Sequence, residues 1–269
     1  MTHAAQPGTE LERLAIELAE GAADLVRSRT GAGVRIGAKS TVTDLVTEVD
    51  RAAEQWLVEQ LAARRPEDAV LGEEGGGRPG TSGVRWVLDP IDGTVNFVLG
   101  LPFYAVSVAA EVDGRIVAGA VANPASGETF HARLGAGAFL GAERLAGPRE
   151  VPLAHAVVAT GFGYDASRRA RQGAVIADVL PRIGDIRRLG AASLDLCFLG
   201  AGRIDAYFEA GLNSWDHAAG GLVAAEAGCV LSGLRGRPAG QLLYAAAGAA
   251  LAAEFFALLE AVGADEVST

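Results

Sequence analysis

The chain has 269 residues, of which 50% are hydrophobic and 21% are charged, as expected for a folded protein that buries a substantial core. Its 33 acidic and 23 basic side chains give a net charge of −10 without a Lys/Arg cluster, which argues against a nucleic-acid or anionic-membrane binder. Two cysteines, no signal-peptide pattern and no long apolar stretch argue against a disulfide scaffold, a secreted precursor and a membrane-spanning protein. We therefore expect a soluble cytoplasmic protein.

The first part of the chain predicts two helices followed by short strands. Leucine and alanine recur at helical spacing over residues 10–29, which predicts an amphipathic helix. A second helix is predicted from about Asp44 to Arg64, because Pro66 prevents its continuation. The turn-rich segment between them, 31–40, predicts a surface loop or a short hairpin.

The remaining elements predict a layered fold. Two short apolar runs, 69–71 and 84–88, predict strands that each end in carboxylates, and 103–140 predicts an antiparallel meander. From 148 onward, apolar strands alternate with helical segments. Helices, then a meander, then alternation predict an α/β fold with at least two sheets.

One segment concentrates the chemistry, the run WVLDPIDGT. Its apolar strand delivers two carboxylates, Asp89 and Asp92, into a turn formed by Pro90 and Gly93. Two like charges this close repel one another, so keeping both ionised in a partly buried site requires a cation. The alternative is an ordinary solvated turn, because Asp-Pro and Asp-Gly are common turn sequences.

Two further acidic groups point to the same chemistry. Glu73 and Glu74 follow the strand at 69–71, and Asp216 lies at the start of an alanine-rich helix, where it is also explained as a helix-start residue. Carboxylates without neighbouring cysteine or histidine favour Mg²⁺ or Mn²⁺ over Zn²⁺. Such a cluster suits two-metal hydrolysis of a phosphoester.

Three segments together resemble the inositol monophosphatase family of magnesium-dependent, lithium-sensitive phosphatases. They are Glu73-Glu74, WVLDPIDGTVNF and WDHAAGGLVAAEAG, supported by the segment around Lys39 and Asp50. The resemblance extends over nearly the whole chain. It implies one phosphatase domain over 7–262, an αβαβα sandwich with an N-terminal antiparallel sheet in the half 7–147 and a C-terminal mixed sheet in the half 148–262. It also implies a homodimer.

The resemblance implies a magnesium site with two or three ions. The first ion would be held by Glu73, Asp89 and the carbonyl of Ile91. The second would be held by Asp89, Asp92 and Asp216, and a third, more weakly bound ion would lie near Glu73. Mn²⁺ is expected to substitute for Mg²⁺.

The resemblance also implies catalytic and substrate-binding roles. Thr94, polarised by Asp50, would orient the attacking water, with Glu73 and Asp92 completing the catalytic set. Backbone N–H groups of Gly93 and Thr94 would bind phosphate oxygens. The expected substrate contacts are Lys39, Asp92, Gly93, Thr94, Ala192, Glu209 and Asp216.

The substrate and the class of function leave alternatives. The residues after the DGT turn, Val95-Asn96-Phe97, resemble members that hydrolyse inositol-1-phosphate and related polyol phosphates. Histidinol-phosphate and fructose-1,6-bisphosphate remain alternative substrates, and a non-catalytic interaction protein or a polyol-binding protein without turnover remains an alternative class. The arginine pairs at 168–169 and 187–188 are interpreted as solvated faces, although the second pair precedes Ala192 and is also a candidate for lining a pocket.

Overall fold

We describe the fold from a computed structural model, which describes residues 7–29, 36–38 and 45–267. The α-helices in these ranges are α1 (Pro7–Ser28), α2 (Glu48–Arg64), α3 (Thr94–Leu99), α4 (Ala166–Val179), α5 (Ala192–Gly200), α6 (Ser214–Glu226) and α7 (Ala249–Ala261). The strands are β1 (Ile36–Ala38), β2 (Leu45–Thr47), β3 (Ala69–Gly72), β4 (Val84–Asp92), β5 (Ala105–Val112), β6 (Arg115–Ala122), β7 (Thr129–Arg133), β8 (Gly137–Leu140), β9 (Glu143–Arg144), β10 (Val157–Thr160), β11 (Asp185–Arg187), β12 (Ala206–Glu209), β13 (Cys229–Ser232) and β14 (Tyr244–Gly248). None of the described helices is long and apolar enough to cross a membrane.

Seven strands form the first sheet, in the order β3-β4-β5-β6-β7-β8-β9. The predicted meander is confirmed from β5 to β8, where each neighbouring pair is antiparallel. The pair β3–β4 is parallel, so the sheet is mixed at this edge and not wholly antiparallel. This parallel pair sends the chain out of β3 and β4 at the same end of the sheet, which is where Glu73 and Asp92 lie.

The second sheet contains five strands in the order β11-β10-β12-β14-β13. Its β10 pairs parallel with β11 and β12, whereas β14 pairs antiparallel with β12 and β13. The sequence predicted that strands and helices alternate after residue 148. In the structure the strands of this sheet alternate along the chain with α4, α5, α6 and α7. The four residues of β13 were not predicted as a strand, because a run this short is stabilised by pairing with β14 and not by its own pattern.

The structure has five layers, three of helices and two of sheet, which pack together through three apolar clusters. One cluster packs α1 and α2 on the outer face of the first sheet, a second packs α5 and α6 between the two sheets, and a third packs α4 and α7 on the far face of the second sheet. The α/β fold expected from the sequence, an αβαβα sandwich with two sheets, is therefore confirmed. Both cysteines are buried without a disulfide, as predicted.

The second helix begins later than the sequence indicated. It starts at Glu48, and the preceding Leu45–Thr47 forms a short antiparallel pair with Ile36–Ala38. The prediction of a helix from Asp44 was wrong for residues 45–47, and Asp44 itself lies outside the described residues. The Thr47 side chain accepts the N–H groups of Val49 and Asp50, so a cap begins the helix at this point.

Candidate active site

The ends of strands from both sheets and the first turns of neighbouring helices surround one cavity of about 480 Å³. Glu73 follows β3, Asp89 and Asp92 lie on β4, Glu209 ends β12, and Asp216 lies in the first turn of α6. The cavity volume lies within the roughly 300–1,000 Å³ that is typical of ligand sites. Carboxylates more than 140 positions apart along the chain, as the first and last of these residues are, thus face one space.

Strand β4 carries the central pair of carboxylates. Its residues from Trp86 to Asp92 are all buried, which is unusual for aspartate unless the charge is compensated. The pairing of β4 with β5 shifts register between Asp89 and Asp92. In this irregular segment Asp89 Oδ1 accepts the N–H of Ile91 at 3.0 Å. The irregularity lets two aspartates three positions apart line the same cavity.

Asp92 is anchored from the opposite side of the cavity. Its Oδ2 accepts both the backbone N–H and the hydroxyl of Ser193, at 2.7 and 2.6 Å. Ser193 lies in the first turn of α5, beside Ala192, which also lines the cavity. These two bonds fix the position of one carboxylate oxygen and leave Oδ1 for a ligand.

Burial and mutual repulsion raise the pKa values of the carboxylates that line the cavity. Burial raises the pKa of Asp89 well above its usual value, and the charges of Glu73, Asp92 and Asp216 add to the effect. Burial also raises the pKa of Asp92 to about 7, against the opposing hydrogen bonds from Ser193. The pKa of Asp216 is well raised by burial and by the charge of Asp92. A cluster of this kind is stable in its ionised form only with positive charge supplied to it.

Asp50 and Thr94 form a buried polar pair, of which Thr94 lines the cavity. The Thr94 hydroxyl lies 2.9 Å from Asp50 Oδ1 and 3.0 Å from the carbonyl oxygen of Ile91. Asp50 Oδ2 accepts the N–H of Thr47 at 2.9 Å and its hydroxyl as well. Both oxygens of Asp50 are therefore engaged, and the carboxylate holds Thr94 at the cavity wall.

The turn between β4 and α3 requires glycine at position 93. Gly93 has φ +89°, and a Cβ there would lie 2.8 Å from the carbonyl oxygen of Phe103. Asn96, in the first turn of α3, donates to the carbonyl oxygens of Phe103 and Leu189 at 2.6 and 2.8 Å. These bonds tie the turn to the loop that leads into α5, so two segments of the cavity wall are held together.

Glu209 and Asp216, together with Glu73, Asp89 and Asp92, form the acidic wall of the cavity. Asn213 donates its N–H to Asp216 Oδ2 at 2.6 Å, so Asp216 closes the start of α6, as the helix-start interpretation held, and lines the cavity as well. Tyr207 donates its hydroxyl to Glu209 at 2.8 Å. Burial raises the pKa of Glu209, although the bond from Tyr207 and the charge of Arg188 oppose this shift.

The donor set fits a hard divalent cation. Carboxylate and carbonyl oxygens face the cavity, and none of the described residues that line it is cysteine or histidine. Over the described ranges, no three Asp, Glu, His or Cys side chains are already drawn together into a metal-binding cluster. Glu73, Asp89, Asp92, Asp216 and the Ile91 carbonyl are the groups that would hold metal.

The structure brings together nearly all of the residues singled out from the sequence. The cavity is lined by Glu73, Asp89, Ile91, Asp92, Gly93, Thr94, Ala192, Glu209 and Asp216. Asp50 does not line the cavity but accepts the hydroxyl of Thr94, and Lys39 lies outside the described residues.

Sequence reasoning missed several contributors to this site. Ser193, Asn96 and Tyr207 orient the wall through hydrogen bonds across the fold or along a strand. Arg168 and Arg188 line the cavity, which the sequence indicated as an option for the second alone. A buried polar residue within an apolar segment was the available signal for Asn96 and Ser193, but it does not identify the partner.

Comparisons with known proteins agree in one family. The model described as "Inositol monophosphatase family" matches residues 8–264. The chain is 47% identical to inositol-1-monophosphatase of Mycobacterium leprae, over 86% of each chain. It is 40% identical to a protein of Escherichia coli named Nus factor SuhB, over 72% of this chain and 73% of that one. A solved structure of an IMPase from Thermotoga maritima superposes with a TM-score of 0.85 at 31% identity, covering 95% of this chain and 98% of that one.

Proposed function

The chain belongs to the inositol monophosphatase family, a family of phosphatases, and we propose that it hydrolyses inositol-1-phosphate and related polyol phosphates in a Mg²⁺-dependent reaction. The observation that carries this proposal is the convergence of Glu73, Asp89, Asp92 and Asp216 on one cavity. The M. leprae relative, which carries the name of this activity, supports the substrate.

The acidic wall would hold the metal and position the reactants. Glu73, Asp89, the Ile91 carbonyl, Asp92 and Asp216 are proposed to hold two or three Mg²⁺ ions, which Mn²⁺ would replace. When bound, these ions supply charge neutralisation and lower the pKa of water. Hydrolysis of a phosphate monoester is among the slowest uncatalysed reactions, so this charge stabilisation is the main requirement.

The remaining residues are proposed to orient water and substrate. Thr94, whose hydroxyl donates to Asp50 or to the Ile91 carbonyl oxygen, would accept a hydrogen bond from the attacking water, alongside Glu73. Backbone N–H groups of Gly93 and Thr94 would meet the phosphate oxygens. Asp92, Ala192 and Glu209 would contact hydroxyls of the alcohol, and a proton must reach its oxygen as the P–O bond breaks.

Phosphate release from inositol-1-phosphate tests this proposal. We expect turnover with Mg²⁺, loss of turnover with excess chelator, and loss in Glu73→Gln, which removes one charge and keeps the shape of the side chain. The exposed Asp185, which lies on β11 away from the cavity, gives the matched control Asp185→Asn. Turnover that persists with chelator, or equal rates for Glu73→Gln and the wild type, would contradict the proposal.

The Thr94 hydroxyl is expected to contribute through its position. Thr94→Val keeps the shape of the side chain and removes the hydroxyl, so we expect kcat to fall by about 10²-fold or more, the range for a positioned proton-transfer group. Thr94→Ser keeps the hydroxyl and should stay within about tenfold of the wild type. Steady-state kinetics measures both kcat values, and melting curves check that both variants are folded. Equal kcat for the two variants would show that the hydroxyl has no role in the reaction.

A second candidate function, a non-catalytic interaction protein on the same fold, takes support from the name of the E. coli relative. The carboxylates weigh against it, because a protein that does not need metal has no reason to bury Asp89 and Asp92 side by side. Phosphate release by the wild type decides whether catalysis is retained.

The remaining properties follow from the family and from the surface. We propose a cytoplasmic homodimer that is inhibited by Li⁺. Leu99 and Leu101 are 67% and 46% exposed, and the next residue, Pro102, lines a depression together with Phe103, Leu189 and Phe198. Exposed apolar side chains next to such a depression support a buried contact between two copies.

A further inference from the structure

The loop that presents Glu73 to the cavity is held by a carboxylate of α2. Glu54 lies in the first half of this helix and is only 3% exposed. Its Oε2 accepts the backbone N–H of Glu74 at 2.8 Å, and its Oε1 accepts the backbone N–H of Gly76 at 2.7 Å. One buried side chain therefore joins the helix to a loop that lies 20 and 22 positions further along the chain.

These two bonds do not serve the helix that carries Glu54. Both N–H groups belong to the loop after β3, and glutamate is rarely this buried unless its charge is compensated. Glu59, on the same helix, shows the ordinary alternative, because it is exposed and accepts the side-chain amide of Gln55 at 2.8 Å. Bonds from N–H groups to a carboxylate are charge-assisted and stronger than bonds between neutral groups. Glu54 is therefore placed to fix the loop.

The loop lies so close to Glu54 that it requires glycine on both sides of Glu73 and Glu74. A Cβ at Gly72 would overlap Oε2 of Glu54, and a Cβ at Gly76 would lie 2.7 Å from its Oε1. A side chain at either position would displace the carboxylate or the loop. The absence of side chains at these two positions lets the backbone rest directly on the carboxylate.

Backbone bonds hold the two ends of the loop, and Glu54 holds the part between them. Val70 and Arg78 exchange two N–H···O bonds at 2.9 and 3.0 Å, which close the base of the loop. The N–H of Glu73 donates to the carbonyl oxygen of Leu88 at 3.3 Å, which is long for such a bond. The bonds to Glu54 follow directly after Glu73, so they set the path of the backbone next to this residue.

The same helix also holds the other residue that is proposed to orient water. Asp50 lies one turn before Glu54, and its Oδ1 lies 2.9 Å from the hydroxyl oxygen of Thr94. The two carboxylates of α2 thus contact Thr94 and the loop of Glu73. Since α2 packs on the first sheet as a regular helix, it fixes these two groups relative to one another more precisely than a loop could.

We propose that Glu54 is a positioning residue that holds Glu73 in its metal-binding orientation through the N–H groups of Glu74 and Gly76. This inference rests on the proposed function, because it takes Glu73 as a metal ligand. Outer partners orient the ligands of a metal, and their replacement typically lowers metal affinity by about 10–100-fold. Donors and acceptor all belong to the protein, so these bonds form without the ion.

Binding of Mn²⁺ in the absence of substrate tests this role. The full chain is titrated with Mn²⁺, and the free ion is measured by electron paramagnetic resonance. Glu54→Gln keeps one acceptor oxygen and places an amide donor against the second N–H, so we expect the Kd for Mn²⁺ to rise about 10–100-fold. The Mg²⁺ concentration for half-maximal turnover should rise with it, while kcat at saturating Mg²⁺ stays within about tenfold of the wild type.

The matched control is Glu59→Gln, which removes the same charge from the exposed face of the same helix and should keep the wild-type Kd. Melting curves of both variants separate positioning from stability. A Glu54→Gln protein that melts earlier but binds Mn²⁺ as tightly as the wild type would overturn the inference and leave the proposed function intact. A wild type that binds no Mn²⁺ would overturn the proposed metal site as well.

Amide hydrogen exchange of the metal-free wild type gives a second measurement, which decides the matter if Glu54→Gln does not fold. We expect the N–H groups of Glu74 and Gly76 to exchange at least about tenfold more slowly than in an unfolded chain, because both are bonded to a buried carboxylate. Exchange of both groups at the unfolded rate would show that Glu54 does not hold the loop, and would overturn the inference.

Discussion

Replacing Asp92 with asparagine is expected to lower kcat for a phosphate monoester by at least about 10³-fold, more than the 10–100-fold that follows loss of an outer partner of a metal ligand. The protein should remain folded. The asparagine oxygen can still accept both donors of Ser193, so the link between β4 and α5 survives. What is lost is a negatively charged oxygen facing the cavity.

The matched variant is Ser193→Ala, which removes the hydroxyl donor and keeps the backbone N–H. We expect it to lower kcat by about tenfold, because Asp92 keeps its charge and one of its two anchoring bonds. Rates measured at saturating Mg²⁺, with melting curves for both variants, separate the two effects. If Asp92→Asn retains activity comparable to Ser193→Ala, Asp92 is a positioned polar residue and not a metal ligand.

Metal removal is expected to reveal the cost of burying ionised carboxylates beside one another as a loss of stability at neutral pH. In the unfolded chain Asp92 releases its proton near its usual pKa of 3.8, whereas in the folded chain its pKa is about 7. Between these values the folded state binds more protons, so the free energy of unfolding falls as pH rises. Three pH units at about 1.4 kcal/mol each give a loss of up to about 4 kcal/mol. The raised pKa values of Asp89 and Asp216 act in the same direction.

Mg²⁺ should restore this stability above pH 7, where the carboxylates are ionised. At a concentration about 100 times its Kd, a bound ion adds about 2.7 kcal/mol, which corresponds to a rise in Tm of roughly 5–10 °C for a chain of this size. Melting curves from pH 4 to pH 8, with chelator and with Mg²⁺, measure both effects. Equal Tm values at pH 8 under the two conditions would show that the wall does not bind the ion.

The sequence predicted the acidic wall because its signals are local. A strand followed by Asp89 and Asp92 in a Pro-Gly turn indicates a buried carboxylate pair, and the run that begins at Trp215 places Asp216 at a helix start. Family resemblance then joined these distant segments. The geometry that supports them is not local: Ser193 bonds to Asp92 from 101 positions away, and Asn96 reaches Leu189 from 93 positions away.

The arginine pairs show a second limit of prediction from sequence. Adjacent residues project in different directions, so one member of each pair faces the cavity and the other does not. The sequence of Arg168-Arg169 or Arg187-Arg188 does not show which arginine faces the cavity. That depends on where glycines elsewhere in the fold leave room for the side chain. The start of α2 was misplaced for a related reason, since the segment Leu45–Thr47 is held as a strand by its pairing with β1.

The most direct test of the central claim is anomalous diffraction from crystals of the protein soaked in Mn²⁺. We expect peaks inside the cavity, within coordination distance of oxygens from Glu73, Asp89, Asp92 and Asp216. Crystals that show no anomalous peak among these side chains, while Mn²⁺ is present at saturating concentration, would contradict the claim that they form a metal centre.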